Sequence, residues 1–326
     1  MSDKLYPLKF KPILKERIWG GTRLRTVLGK NAKMAHCGES WELSGVSGDI
    51  SVVANGFLKG NNLQELIEIY MGDLVGDSVY DRFGVEFPVL VKFIDAQDDL
   101  SLQVHPDDRL AAERHGAYGK TEMWYVMEAG RDSNLIVGFN QEMNREKYLQ
   151  ALNEKKLKDI MNFEKLSPGD VFFIPAGRVH AIGKDVLLTE IQQTSDVTYR
   201  ICDWDRVDAS GKPREMHTDL ALDAIDYSLH DEYKTRYQKL AQGTAELVKC
   251  PYFTTNLVCF DRPMEKDYHR LDSFVIYVCT SGACSIRWDA DESLNIRKGD
   301  TILLPAVLNE IRLMPTEPTE LLEVSS

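Results

Sequence analysis

The residues with the most chemistry to offer are Gln103, His105, Glu122 and His180. Two imidazoles and a carboxylate make a nitrogen and oxygen donor set that suits Zn²⁺, and three protein ligands leave a position open for substrate or water, as a catalytic site requires. The first two stand in LSLQVHPDD, residues 100–108, where Leu100, Leu102 and Val104 alternate with Ser101, Gln103 and His105 until Pro106 stops the run. A period of two places the polar three on one face of a strand. Taken singly, a His or Glu at a strand end is more often a satisfied or solvated side chain than a ligand. A comparison within the chain lifts the set above that level.

LSPGDVFFIPAGRVH (166–180) laid over IRKGDTILLPAVLNE (296–310) aligns Gly169-Asp170 with Gly299-Asp300 and Pro175-Ala176 with Pro305-Ala306. EMWYVMEAG laid over FVIYVCTSG aligns Tyr125-Val126 with Tyr277-Val278 and Gly130 with Gly282. Two matches in the same order indicate an internal repeat. In this overlay Glu122 becomes Phe274, His180 becomes Glu310, and YFTTNLVCF has no histidine where His105 would fall. Only the first copy keeps a set of ligand-type groups.

The elements that must position this set read as short strands. FPVLVKFIDA, TEMWYVMEAG, SNLIVGF, DVFFIPAG, VLLTEIQQT and VTYRICDW are rich in Val, Ile and aromatics and are punctuated by Gly, Pro and Asp, as a sandwich or barrel requires. Helices are expected in NNLQELIEIYMGDLVGDSVYDRF behind Asn61 and Asn62, and in PDDRLAAERHG up to Gly116. A third is expected in MNREKYLQALNEKKLKDIMNF, with Tyr148, Leu152, Leu157, Ile160 and Met161 on one face. A further helical passage surrounds MHTDLALDAIDYSLHDEYKTRY, after which strands resume. The chain is expected to divide into residues 1–244, which hold the site and the helical insertions, and 245–326, a degenerate copy without a metal site.

At 326 residues the chain suits about two domains of ~150 residues each, and 43% hydrophobic content supplies a core. A net charge of −12 argues against a sequence-independent grip on nucleic acid or on an anionic membrane. Any anionic ligand must be held by a local pocket. MSDKLYPLKFKPILKERIWGG has no apolar core of the signal-peptide type, and no segment approaches the ~18 apolar residues of a membrane span. Six cysteines without a Cys-x-x-Cys pair point to a reduced, cytoplasmic setting.

GDVFFIPAGRVH fits the second cupin motif, Gly-x5-Pro-x-Gly-x2-His, ending on His180. The first cupin motif is replaced by Gln103-x-His105, with its carboxylate 17 residues further on, a departure from the iron-dependent cupin oxygenases. PVLVKFIDAQDDLSLQVHPDD, GKTEMW, PAGRVHAIG and EIQQTSDVTYR, in that order, with ERIWGG and GESWELSG near the start, resemble the type I mannose-6-phosphate isomerases in their short bacterial form. The resemblance spans nearly the whole chain. It implies a mainly β fold of two cupin-type β-barrel (jelly-roll) domains with added helices, a bicupin.

The same resemblance implies one Zn²⁺ per chain on Gln103, His105, Glu122 and His180, although some short members use only the last three. It implies an active-site arginine at Arg200 and places Lys92, Ser101 and Lys120 around the phosphate of a sugar phosphate substrate. Glu190 matches a proposed general base, with Asp196 and Lys120 as competitors. The implied activity is interconversion of mannose 6-phosphate and fructose 6-phosphate through an enediol(ate). Two alternatives stand beside it: a non-catalytic bicupin that senses a sugar phosphate, and a metal-dependent cupin oxygenase. Oligomeric state is not legible.

Overall fold

The computed structural model describes residues 4–207 and 211–326. A seven-stranded sheet runs in the order Lys234–Thr235, Val171–Ile174, Glu122–Ala129, Val186–Gln193, Val89–Ala96, Ile13–Gly21, Cys37–Leu43. Facing it is a five-stranded sheet, in the order Tyr199–Cys202, Leu102–Val104, His180–Ile182, Asn134–Phe139, Met161–Lys165. Trp124, Val126, Phe172, Ile174 and Leu188 of the first pack against Leu135, Val137 and Ile182 of the second. The larger sheet is covered on its other face too, where Leu66, Ile67 and Val79 meet Val91, Phe93 and Ile191. Burial on both faces explains why VLLTEIQQ does not alternate simply: every residue of Val186–Gln193 is buried.

The C-terminal half repeats the plan. Its six-stranded sheet runs Leu8–Lys9, Thr301–Leu304, Val275–Ser281, Thr319–Ser325, Thr254–Phe260, Gly243–Lys249, and its four-stranded sheet runs Met264–Asp267, Glu310–Pro315, Ala283–Arg287, Ser293–Arg297. Tyr277, Leu304, Ile286 and Leu313 fill the space between them. The N-terminal strand Leu8–Lys9 pairs with Leu303 and Ile302, so the two halves are stitched at the start of the chain.

The mainly β expectation holds, but the expected cupin-type β-barrels do not: among the described residues the strands form four open sheets and none closes on itself. The facing sheets are joined through side chains, and the strands at their margins are not hydrogen-bonded across into a barrel. Other expectations need smaller corrections. Asn62 caps the helix Leu63–Val75 with a capping box to Glu65, and Asp107 caps Asp108–His115, which ends on left-handed Gly116. The third helix does not run through: it stops at Asn153, Lys155 takes φ 56°, and only Leu157–Ile160 resumes before the strand Met161–Lys165. The later helical passage condenses to Thr218–Ala224.

The repeat is present, with its register one residue from the sequence overlay. Val126 N donates to Asp170 O and Cys279 N to Asp300 O, both at 2.9 Å, so Trp124 corresponds to Tyr277 and Glu122 to Val275 rather than Phe274. Glu190, paired with Trp124 and Lys92, then corresponds to Glu323, paired with Tyr277 and Asn256. Glu323 is already neutralised by Lys266 Nζ at 2.6 Å and accepts from Tyr268 Oη at 2.6 Å. The second copy therefore holds a buried carboxylate but closes it with its own ammonium.

Packing between the facing sheets is the main support of the site. Leu188→Ala, which empties a fully buried position there, is expected to cost about 2–5 kcal/mol. Urea unfolding monitored by tryptophan fluorescence measures it, and a cost under about 1 kcal/mol would mean that the layer collapses around the gap.

Candidate metal centre

The strand pairings bring three sequence-distant ligands together. His180 pairs with Gln103 across the five-stranded sheet, and Glu122 pairs with Gln192 and Ile174 on the facing sheet. His105 follows directly on the strand Leu102–Val104. Glu122 Oε2 lies 3.5 Å from His105 Nε2, and Glu122 Oε1 lies 3.4 Å from His180 Nε2. One ligand atom from each of the three residues lies within 4.8 Å of the others, so the group could hold one divalent cation by drawing in toward the about 3.3–3.4 Å donor spacing of a tetrahedral ion.

The rings are oriented for it. His105 Nδ1 donates to Val197 O at 3.0 Å and His180 Nδ1 to Arg178 O at 2.8 Å. A carbonyl can only accept, so both Nδ1 atoms carry the proton and both Nε2 lone pairs face Glu122. Burial, then the charge of Lys120, holds His105 well below the usual imidazole range, and burial pulls His180 down to about 4. Both rings are thus neutral, with an unprotonated Nε2 that can act as a ligand atom. His105 Nε2 and both oxygens of Glu122 are buried without a hydrogen-bond partner. A cation satisfies all three at once.

Gln103 reaches the same point, its amide nitrogen 3.2 Å from His180 Nε2. That contact occupies the lone pair a metal would use; turning the amide over brings its oxygen, a ligand atom, to the same place.

A band of charge surrounds the ligands. Lys120 Nζ stands 3.1 Å from Glu122 Oε2 and 4.0 Å from Glu190 Oε1. Lys92 Nζ donates to Glu190 Oε1 at 2.9 Å and to Gln192 Oε1 at 2.6 Å, and Trp124 Nε1 donates to Glu190 Oε2 at 3.0 Å. Burial and the charge of Glu190 hold the Glu122 carboxyl above the usual carboxylate range. Burial acts on Glu190 in the same sense, but Lys92 and Lys120 outweigh it and hold that carboxyl below the usual range. Lys120 stays protonated because Glu122 and Glu190 overcome the effect of its burial.

Of the residues expected from sequence, His105, Glu122, His180, Gln103, Lys92, Lys120 and Glu190 meet in this cluster. Arg200 pairs with Gln103 and so shares the strand row of Gln103 and His180; its Nη1 donates to Glu215 O at 2.8 Å, and its buried Nε has no partner. Ser101 is buried just ahead of Leu102–Val104. Asp196 is exposed and lines a separate cleft of about 940 Å³ with Asp108, Tyr118, Gln193 and Tyr252. Sequence reasoning missed Trp124 and Gln192. Their signal was the two-residue spacing: Trp124 follows Glu122, and Gln192 follows Glu190, on one face of each strand.

A family model described as phosphomannose isomerase type I, catalytic domain, matches residues 7–129. Mannose-6-phosphate isomerase ManA of Bacillus subtilis (strain 168) is 35% identical over 313 residues, 94% of this chain and 95% of that protein. Mannose-6-phosphate isomerase of Streptococcus mutans serotype c is 33% identical over 301 residues, 92% of each chain. The crystal structure of mannose 6-phosphate isomerase from Bacillus subtilis matches with a TM-score of 0.88 at 31% identity, covering 99% of this chain and 100% of that one.

The raised Glu122 carboxyl sets a pH dependence for metal uptake. A cation binds the carboxylate, so binding must displace the proton that the metal-free site retains toward acid pH. Titration calorimetry in buffers of different ionisation heat is expected to show weaker binding and more protons released per Zn²⁺ at about pH 6 than at about pH 8. Equal proton release at both would contradict the assignment of Glu122.

Proposed function

The chain belongs to the type I phosphomannose isomerases, and on that premise we propose that it interconverts mannose 6-phosphate and fructose 6-phosphate with one Zn²⁺ per chain. His105, Glu122 and His180 would hold the ion, and Gln103 would add a fourth ligand atom with its amide turned. The observation that carries this is the buried Glu122 carboxylate, set between the Nε2 lone pairs of His105 and His180 in one buried cluster of metal-ligand groups. Once bound, the metal supplies Lewis acidity that polarises the sugar carbonyl.

Charge balance supports an anionic substrate. Lys92 and Lys120 cancel Glu122 and Glu190, so a divalent ion leaves the cluster with two positive charges in a chain of net −12. A sugar phosphate carries about −1.5 to −2. We assign Ser101 and Lys120 to the approach of the phosphate. Lys92, already held by Glu190 and Gln192, lends positive potential and fixes Glu190.

Isomerisation moves the proton on C2 to C1 and the hydroxyl proton from the C2 oxygen to the C1 oxygen. In the aldose-to-ketose direction a base takes the C2 proton, and the C–H electron pair becomes the C1–C2 double bond. The carbonyl electrons move onto the C1 oxygen, giving an enediolate. Protonation at C1 and loss of the C2 hydroxyl proton complete the ketose. Glu190 is the proton acceptor and the Lys120 ammonium the donor toward the developing oxyanion, with Arg200 adding a second positive charge. The 4.0 Å between Lys120 and Glu190 favours this pair over Asp196, which is exposed at the separate cleft.

Catalysis is assigned to residues 1–244, and packing to 245–326, where Glu323 is already paired. Six unpaired thiols support a cytoplasmic setting. No helix among the described residues is long and apolar enough to cross a membrane.

An assay coupled to fructose 6-phosphate formation tests the activity, and a wild-type protein that forms none would overturn it. Glu190→Gln is expected to lower kcat by about 10²–10⁴-fold with metal content unchanged. Arg200→Ala is expected to lose turnover while keeping its metal, and wild-type rates in either variant would remove that residue from its role.

A further inference from the structure

The helix Asp108–His115 is capped by Asp107, whose side chain accepts from Leu110 N at 2.8 Å. Asp108 is therefore not needed as the cap, and its carboxylate is spent elsewhere. Its Oδ1 accepts from Gly119 N and from Gln193 Nε2, both at 2.9 Å. Its Oδ2 accepts from Tyr252 Oη at 2.7 Å.

Two of these partners lead to different parts of the metal centre, and the third leads to the C-terminal half. Asp108 lies three residues beyond His105. Gly119 opens the Gly119–Lys120–Thr121 segment that ends on Glu122, and it packs so tightly that a Cβ there would lie 2.6 Å from Asp108 N. Gln193 follows Gln192 and closes the strand that carries Glu190; its Oε1 accepts from Thr121 N at 2.8 Å, and its own N donates to Thr121 O at 3.1 Å. Tyr252 belongs to the C-terminal half, in the turn before Thr254–Phe260.

We propose that Asp108 and Gln193, anchored from the C-terminal half by the Tyr252 hydroxyl, are positioning residues that fix His105, Glu122 and Lys120 relative to Glu190. The second half of the chain then does more than pack: it sets the spacing of a site to which it contributes no ligand. A carboxylate that accepts hydrogen bonds from three separate segments holds them in one register, and charge-assisted bonds of this kind are the stronger ones. Outer-shell partners that orient metal ligands have measurable weight in both affinity and rate.

The turnover readout rests on the isomerase activity proposed above; the metal readouts do not. Tyr252→Phe keeps the ring and removes only the hydroxyl, and Gln193→Met keeps the length and removes both amide contacts. In the full chain, each is expected to weaken Zn²⁺ binding or lower kcat by about tenfold or more, with KM within about twofold. Each is also expected to shift the visible absorption of the Co²⁺-loaded protein. Combined, their effects are expected to fall short of additivity, because Tyr252 and Gln193 share the Asp108 carboxylate as a partner. Asp108→Asn, which keeps one acceptor oxygen, is expected to retain more activity than Asp108→Ala.

Wild-type values of kcat, Zn²⁺ affinity and the Co²⁺ spectrum in Tyr252→Phe and Gln193→Met would overturn the proposal, whether or not Tm falls. Variant-induced shifts in metal affinity and spectrum, in a protein whose wild type lacks isomerase activity, would leave the positioning role standing and remove the isomerase reading.

Discussion

Glu122 is fully buried, with two oxygens that no hydrogen bond reaches. Burying a carboxylate against two imidazole lone pairs is costly even with the Lys120 ammonium 3.1 Å away, and the surrounding structure is arranged so that a cation can join it. His105 and His180 are turned lone pair inward by backbone carbonyls, Lys120 holds the carboxylate from one side, and Trp124 stacks edge-on against His180 at 5.3 Å. The facing sheets bring these groups together, which is why the apolar layer between the sheets and the polar site at its end belong to one construction.

The two halves show two solutions to the same problem. In the first, Glu190 is paired with Lys92, while Glu122 has Lys120 on one side and still faces the lone pairs of His105 and His180. In the second, Val275 stands in the register of Glu122, and Glu323, in the register of Glu190, is closed by Lys266, Tyr268 and Tyr277. Held by an ammonium, two hydroxyls and the Asn256 amide, Glu323 joins no metal-ligand cluster among the described residues. The second half is thus sealed as a site, while its Tyr252 reaches back to the first.

Much of this was legible in the chain. The alternation in LSLQVHPDD gave His105 and Gln103 their common face, Asn62 and Asp107 announced helix starts, and the Gly-Asp turns exposed the repeat. The misses have physical causes. A motif that fixes turns and a histidine does not decide whether strand margins pair, so barrels were expected where open sheets pack face to face. The overlay of the two halves slipped by one residue because the turns match while the strands leading into them do not start in step. The break at Lys155 depends on a positive φ that its side chain does not advertise. The carbonyls of Val197 and Arg178, which orient the ligands, are invisible to any reading of side-chain types.

The proposed isomerisation depends most directly on one cation filling the Glu122 site. Zn²⁺ titrated into chelator-treated protein, with isomerase activity followed at each addition, measures this. Activity is predicted to be lost on chelation and to rise in proportion to added Zn²⁺ until one equivalent per chain, then stop. Full activity in protein verified to be free of metal, or restoration only after several equivalents, would contradict it.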